Sequence, residues 1–298
     1  MGRKIELSYS RVKIDYKKCL FSINSIILIV ATLLLTCLNY YFSYATKIEL
    51  IGQLSSPAED LNVSLLETWI ESYNGFEFFF EYYDLSDEFI LFVLVLLAWI
   101  GIFVVGTFGQ FRETGYGNLL VARSGYKPFF KNFVVSRSLY IASLLAIITV
   151  VQLAVAFILG GVGSLIYESG LYTYDFLSCM LIIFLQYLLI SFYSIAIFII
   201  SVSLSAFIRN NYVLRIFPVM AFGIMMMLVF STLGNIFTWL EPLLDIFAPF
   251  YYMTKLMIII NSHDLNDCVS VVVSVVIFAV ASVVMYRLNI KKMESDYL

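Results

Sequence analysis

Six long stretches of this chain contain no Asp, Glu, Lys or Arg: residues 19–46, 89–111, 138–167, 176–208, 216–240 and 268–286. A charged side chain near the centre of a bilayer costs several kcal/mol, and a helix needs about 20 residues to cross the hydrocarbon. Even the shortest stretch, CVSVVVSVVIFAVASVVMY, comes close to that length. Each is apolar on every side, so periodicity does not say which face points inward. Continuous runs of this kind exclude a β-barrel, whose strands are short and alternate. Composition agrees: of 298 residues, 13% are charged and 61% hydrophobic, against about 25% and 45–50% in soluble domains. A soluble enzyme and a disordered chain are both excluded. The four cysteines, Cys19, Cys37, Cys179 and Cys268, form no CxxC pair and suggest neither a disulfide framework nor a zinc site.

The charges outside the runs are segregated. Segments 1–18, 109–137, 209–215 and 287–298 hold 16 of the 18 Lys and Arg residues, while the alternate segments hold only Lys47 and Lys255 but 16 of the 21 acids. By the positive-inside rule this predicts six spans with both termini cytoplasmic. The expected fold is therefore an all-α integral membrane protein, a single transmembrane domain over 1–298. Its spans fall at about 22–43, 89–111, 138–160, 177–206, 214–234 and 268–287. The localisation expected is the cell (plasma) membrane, multi-pass.

Between the spans, residues 1–18 place Ile5, Tyr9, Val12 and Tyr16 on one helical face with basic residues on the others. That predicts an interfacial cytoplasmic helix, or a basic anchor that only fixes topology. The external segment 44–88 is acidic and carries aromatic residues from Trp69 to Tyr83. Helical spacing of Leu61, Leu65, Leu66, Trp69, Ile70 and Tyr73 predicts a short helix on the outer headgroup layer, within a solvated acidic loop or a vestibule for cationic cargo. Segment 234–267, interrupted by Pro242 and Pro249, is too broken to span and reads as a re-entrant segment between spans 5 and 6. The segment 109–137 holds a short amphipathic piece from Asn118 to Arg123, bracketed by Gly115 and Gly117 and by Ser124-Gly125.

Much chemistry is missing. There is no GxxxxGK[ST] loop and no GxSxG nucleophile, and the sole histidine, His263, lies in an external segment. The spans carry no acid, base or histidine of the sort that ion-coupled carriers use at the midplane. What they do carry is uncharged: Thr107 and Gln110 in span 2, Gln152 in span 3, Gln186 in span 4, and Pro218, Gly223, Met225, Met226, Met227 and Ser231 in span 5. Such positions suit a promiscuous pathway or close helix packing.

Taken together, six spans, a basic leader and a glycine-punctuated loop after span 2 resemble bacterial ABC exporter permeases of the second (type V exporter) class. The family's segment after span 2 runs as a Glu, a Gly four residues on, a Leu pair and a small basic turn. Here Glu113, Gly117, Leu119, Leu120, Arg123, Ser124, Gly125 and Lys131 occupy those places. Ala248-Pro249-Phe250-Tyr251-Tyr252 is similar to a second family stretch, between spans 5 and 6. The chain departs from the family at Asn118, where Thr is usual, and at Arg123–Tyr126, where Pro-x-Ser-Arg is usual. The resemblance implies a coupling helix at about 117–126, including Tyr126, with Glu113 at its hinge. It also implies a separate ABC ATPase subunit docking beneath 112–130 and a second permease copy or paralogue. Spans 2 and 5 would line the route, with Thr107, Gln110, Gly223, Met227 and Ser231 on it. No catalysis, metal or cofactor is expected on this chain, ATP and Mg being held by the partner, and no nucleic acid is expected. The cargo would be a peptide, antibiotic or lipid-like molecule. The other reading is a membrane immunity or sensor protein that binds external antimicrobial peptides without transport.

Overall fold

The computed structural model describes residues 16, 18–55, 67, 70, 73–83, 86–113, 121–122, 125–163, 165–167, 172–224 and 265–297. These are almost entirely helical. In chain order the elements are α1 (Ile23–Ser55), α2 (Gly75–Tyr83), α3, α4 (Tyr126–Gly160), strands β1 (Leu165–Tyr167) and β2 (Tyr172–Tyr174), α5, α6 and α7 (Leu265–Tyr297). Helix α3 comprises Asp87–Trp99, a π-helical turn Ile100–Val105, and Gly106–Glu113. Helix α5 is Phe176–Ser203 closing in a tighter turn, Leu204–Ala206, and α6 is Asn211–Phe217 continuing as a π-helical stretch, Pro218–Ile224.

Five of these, α1, α3, α4, α5 and α7, are long and apolar enough to cross a membrane. Helix α6 is apolar and is described as far as Ile224; the remainder of the fifth expected span lies outside the described residues. The expected re-entrant segment and nearly all of the leader also lie outside them. The chain is a multi-pass membrane protein by build: its bundle turns Ile26, Val30, Leu34 and Leu38 of α1 and Val276, Val280 and Val284 of α7 outward. Water would not tolerate so large an apolar exterior, but lipid does.

The largely apolar interior also carries a set of small and hydroxylated side chains. Along α1 the buried polar positions are Ser25, Thr32, Thr36, Asn39 and Ser43, spaced as one helical face shared with Leu28 and Tyr40. On α7 they are Ser274, Ser282 and Asn289. In lipid, helices gain little by burying Leu against Leu, whereas small and hydroxylated residues allow close approach and hydrogen bonds between helices. Tyr193 Oη donates to Ser274 Oγ (2.8 Å), Trp99 Nε1 to the Asn24 carbonyl (2.9 Å), and Tyr16 Oη to Ser143 Oγ (2.9 Å). The most extensive helix pairings are α3 with α6, α5 with α7, and α2 with α4.

Helix ends follow local chemistry. Gly125 (φ +79°) starts α4 and Gly161 (φ +78°) ends it, both combining a positive φ with an extended ψ, a conformation essentially reserved for glycine. Ser86 caps α3 by accepting from the Phe89 N–H (3.1 Å), with Asp87 and Glu88 favourably placed in the first turn. Asp175 caps α5 by accepting from the Ser178 N–H (3.2 Å), and bonding to the Ser178 side chain and then its backbone N–H holds its carboxyl below the usual value.

Three findings depart from the sequence expectation. First, helix α4 begins at Tyr126, well ahead of the start predicted for span 3 at 138, and α1 runs on to Ser55, past the end predicted for span 1 at 43. Charge gaps mark the lipid-embedded part only. At 35 and 33 residues these helices reach about 50 Å, well beyond a hydrocarbon core of about 30 Å. Second, the chain is not wholly helical, since β1 and β2 pair antiparallel with Ile166 opposite Thr173.

Third, the acidic segment 44–88 is not simply a solvated loop. Its aromatic run forms α2, whose Phe76, Phe78, Phe79, Phe80, Tyr82 and Tyr83 are buried in the bundle. Glu77 and Glu81 stand one helical turn apart, so only one face of α2 is acidic and the rest can pack. The Gly75 N–H donates to the Gly161 carbonyl (2.9 Å), and Tyr83 Oη donates to Gln152 Oε1 (2.6 Å). Because Gln152 precedes Gly161 by more than two helical turns, α2 runs antiparallel to α4 and descends about 12 Å from its tip. Gln152 Nε2 then donates to Thr36 Oγ1 (2.8 Å), joining α2, α4 and α1. Lys47 of α1 closes the mouth by donating to the Tyr73 carbonyl (2.6 Å). The Tyr73 phenol is pushed up by burial and then by the carboxylates of Glu81 and Glu77. The expected helix over 61–73 lies largely outside the described residues.

Candidate functional site

The antiparallel seam between α3 and α6 combines close approach, irregular helix and charged groups. On α3, Gly101, Gly106 and Gly109 line the contact. A Cβ on Gly101 would collide with the Arg215 carbonyl oxygen, one on Gly106 would lie 3.0 Å from Arg215 Nε, and one on Gly109 2.8 Å from Asn211 Cγ. Farther along, a Cβ on Gly223 of α6 would lie 2.9 Å from Leu94 Cδ2. The two backbones therefore meet across a groove that only glycine leaves open.

Both helices are π-helical where they meet. In α3 the Gly106 N–H donates to the Gly101 carbonyl, five residues back, so the widened turn spans the two glycines that face Arg215. In α6 the π-helical stretch starts at Pro218, which has no N–H to donate to the Leu214 carbonyl and so disturbs the regular ladder. Single π turns occur often at functional positions.

At its basic end the seam is tied by Asn211, whose side-chain Nδ2 donates to Glu113 Oε1 and to the Gly109 carbonyl (3.4 Å). The Arg215 guanidinium lies over the Tyr212 ring, 5.9 Å from its centroid. Arg215 Nε and Asn211 Oδ1 are buried with no hydrogen-bond partner among the described residues. Phe108 anchors this end of α3 on α4, its ring 5.6 Å from Phe130 and 5.2 Å from Phe133.

The residues singled out from sequence fall as follows. Glu113 is exposed at the last turn of α3. Thr107 Oγ1 donates to the Val104 carbonyl of its own helix (2.7 Å), Gln110 is exposed, and Gly223 is buried in the seam. Tyr126 is turned inward, its Oη donating to Asn289 Oδ1 of α7 (2.7 Å), so its ring braces the bundle instead of offering a surface. Gly125 is exposed at the start of α4. Gly117, Leu119, Leu120, Arg123, Ser124, Met227 and Ser231 lie outside the described residues. Sequence reasoning did not single out Asn211, Arg215 or the glycines of α3. Gly106 and Gly109, three residues apart, were the available signal, since small residues on one side of a span mark a helix contact, whereas Gly101 joins that side only through the π-helical turn.

Among the described residues no group of His, Cys, Asp and Glu is placed to hold a metal ion. No protein-family model, curated protein or solved structure matches this chain.

Proposed function

We propose that this chain is the membrane-spanning permease subunit of an ATP-driven exporter. A separate ATPase subunit, carrying ATP and Mg, would dock beneath 112–130, and a second permease copy or paralogue would complete the path for a peptide, antibiotic or lipid-like cargo. On this reading the basic end is cytoplasmic in a plasma membrane, the topology has six spans, and 234–267 is re-entrant.

The observation that carries the reading is the α3–α6 seam itself. Its helices are irregular at the place where they touch, and its tie, Glu113 with Asn211, sits at the edge of the segment assigned to the ATPase. A push on that segment reaches Glu113 first. Loosening its bond to Asn211 would free α6 to slide or rotate against the glycine groove, with the π turns taking up the change in register. Such a step is a switch between discrete packings and needs no charge inside the bilayer. Arg215 Nε and Asn211 Oδ1, unpaired among the described residues, give a second arrangement groups to bond with.

The test is Glu113→Ala in the full-length chain purified with its ATPase. The expected result is altered cargo-stimulated ATP hydrolysis with assembly intact. Unchanged coupling would reject the role given to Glu113.

A further inference from the structure

At the basic end of the bundle, an open cleft of about 480 Å³ lies between the start of α4 and the last turns of α7. Lys127, Arg287 and Lys291 line it, with Glu294 as the one acid among the described residues, and Tyr286 and Ile290 supply apolar wall. We propose that this cleft binds the phosphate-bearing headgroup of an anionic phospholipid.

Three observations support the assignment. The first is charge: three cations against one acid converge from two helices onto one concavity, which suits a phosphate diester. Basic pockets between spans at a membrane surface recognise anionic headgroups in this way.

The second is continuity with the lipid-facing exterior. Val276, Val280 and Val284 are about half exposed, and with Arg287 and Lys291 they share one face of α7. A lipid whose acyl chains lie along the valines would meet Arg287 and Lys291 at the end of that stripe. The cations themselves can lay their aliphatic stems on apolar surface and hold their charged ends at the interface.

The third is preorganisation. Tyr126 Oη bonds Asn289 Oδ1 (2.7 Å), Asn289 Nδ2 bonds the Ser203 carbonyl (2.8 Å), and the Tyr286 ring stacks on Phe130 (5.4 Å, 24°). Helices α4, α5 and α7 are thus pinned to one another beside the cleft, so binding need not order its walls. Lys292 points elsewhere, its ammonium 4.5 Å from the Phe207 ring centroid, and is a natural control. The site depends only on the chain lying in a bilayer and is independent of any ATPase.

The experiment uses the full-length chain with whatever subunits co-purify, in nanodiscs of mixed phosphatidylglycerol and phosphatidylcholine. After mild delipidating washes, retained lipid is counted by native mass spectrometry. Wild type should keep phosphatidylglycerol preferentially, and less of it as salt rises. Each neutralisation among Lys127→Gln, Arg287→Gln and Lys291→Gln should weaken retention about fivefold. Lys292→Gln should leave it within about twofold. Glu294→Gln should strengthen retention, a gain that misfolding cannot mimic. Equal retention by wild type and the triple Gln variant would overturn the proposal, as would weaker retention by Glu294→Gln. Displacement of phosphatidylglycerol by millimolar inorganic phosphate, with equal thermal stabilisation, would make the cleft a free-phosphate site and overturn it too.

Discussion

Gly101 of α3 and Arg215 of α6 meet backbone to backbone: a methyl group on Gly101 would collide with the Arg215 carbonyl oxygen. Neither partner is a flexible side-chain tip, so a substitution there must move a helix. Gly101→Ala is expected to destabilise the protein by about 1–3 kcal/mol, the usual cost of overpacking a filled interior. Gly52→Ala in α1 is the matched control, because none of the described residues lies within 4 Å of the added Cβ. Thermal unfolding of both variants in one detergent checks the pair. Equal melting temperatures would refute the contact.

The tie at the end of the same seam makes a separate prediction. Glu113→Ala and Asn211→Ala each remove the hydrogen bond between them, so the double variant should be scarcely worse than Asn211→Ala, which also loses the bond to the Gly109 carbonyl. A coupling of about 0.5–3 kcal/mol is expected for residues in direct contact. Strict additivity of the two effects on unfolding would show that the residues do not pair.

The Tyr83–Gln152–Thr36 chain holds α2 inside the bundle. Tyr83→Phe keeps the ring and removes the hydroxyl, leaving Gln152 Oε1 without that donor. The expected loss is about 1 kcal/mol, since hydrogen bonds between membrane helices average about 0.6 kcal/mol and reach about 1.7. Hydrogen exchange should rise selectively in Gly75–Tyr83. Unchanged protection there would place the grip on α2 elsewhere, in its aromatic packing.

The Asp175 cap titrates with a definite sign. Its folded-state carboxyl is held below the ordinary value, first by the Ser178 side chain and then by the Ser178 N–H. As pH falls the unfolded chain therefore takes up the proton first. The cap's contribution is complete above the ordinary carboxylate range and fades as pH drops through the lowered value. Asp175→Asn keeps an acceptor but cannot titrate in this range. Protection of the Ser178 amide should fall with acidity in wild type relative to Asp175→Asn. Parallel behaviour of the two would remove the carboxylate from the account.

Much of this architecture is written plainly in the chain. The charge gaps locate the lipid-embedded stretches of α1, α3, α4, α5 and α7, because excluding charge from hydrocarbon is the strongest constraint the sequence obeys. The same gaps could not find the ends of α1 and α4, since nothing about leaving the bilayer requires a helix to stop. A signal was present on α1 but hidden by uniform hydropathy: Ser25, Thr32, Thr36, Asn39 and Ser43 recur at helical spacing and all point inward. Reading small and hydroxylated residues as the inner face, as lipid-borne packing demands, orients the helix where apolar periodicity cannot. The burial of Phe76–Tyr83 was masked by the acids around it, which made the whole segment look solvated. At the seam, Glu113 was legible from its place in a motif. Its partner Asn211 was not, because the two are 98 residues apart and meet only through the fold.

The most direct test of the proposed function is affinity purification of the full-length chain from its native membrane in mild detergent, with Mg-ATP hydrolysis measured in the eluate. The account predicts a stoichiometric P-loop ATPase subunit whose hydrolysis changes with Glu113→Ala. A chain that purifies without such a subunit and, alone in liposomes, accumulates solute under a proton or sodium gradient would contradict it.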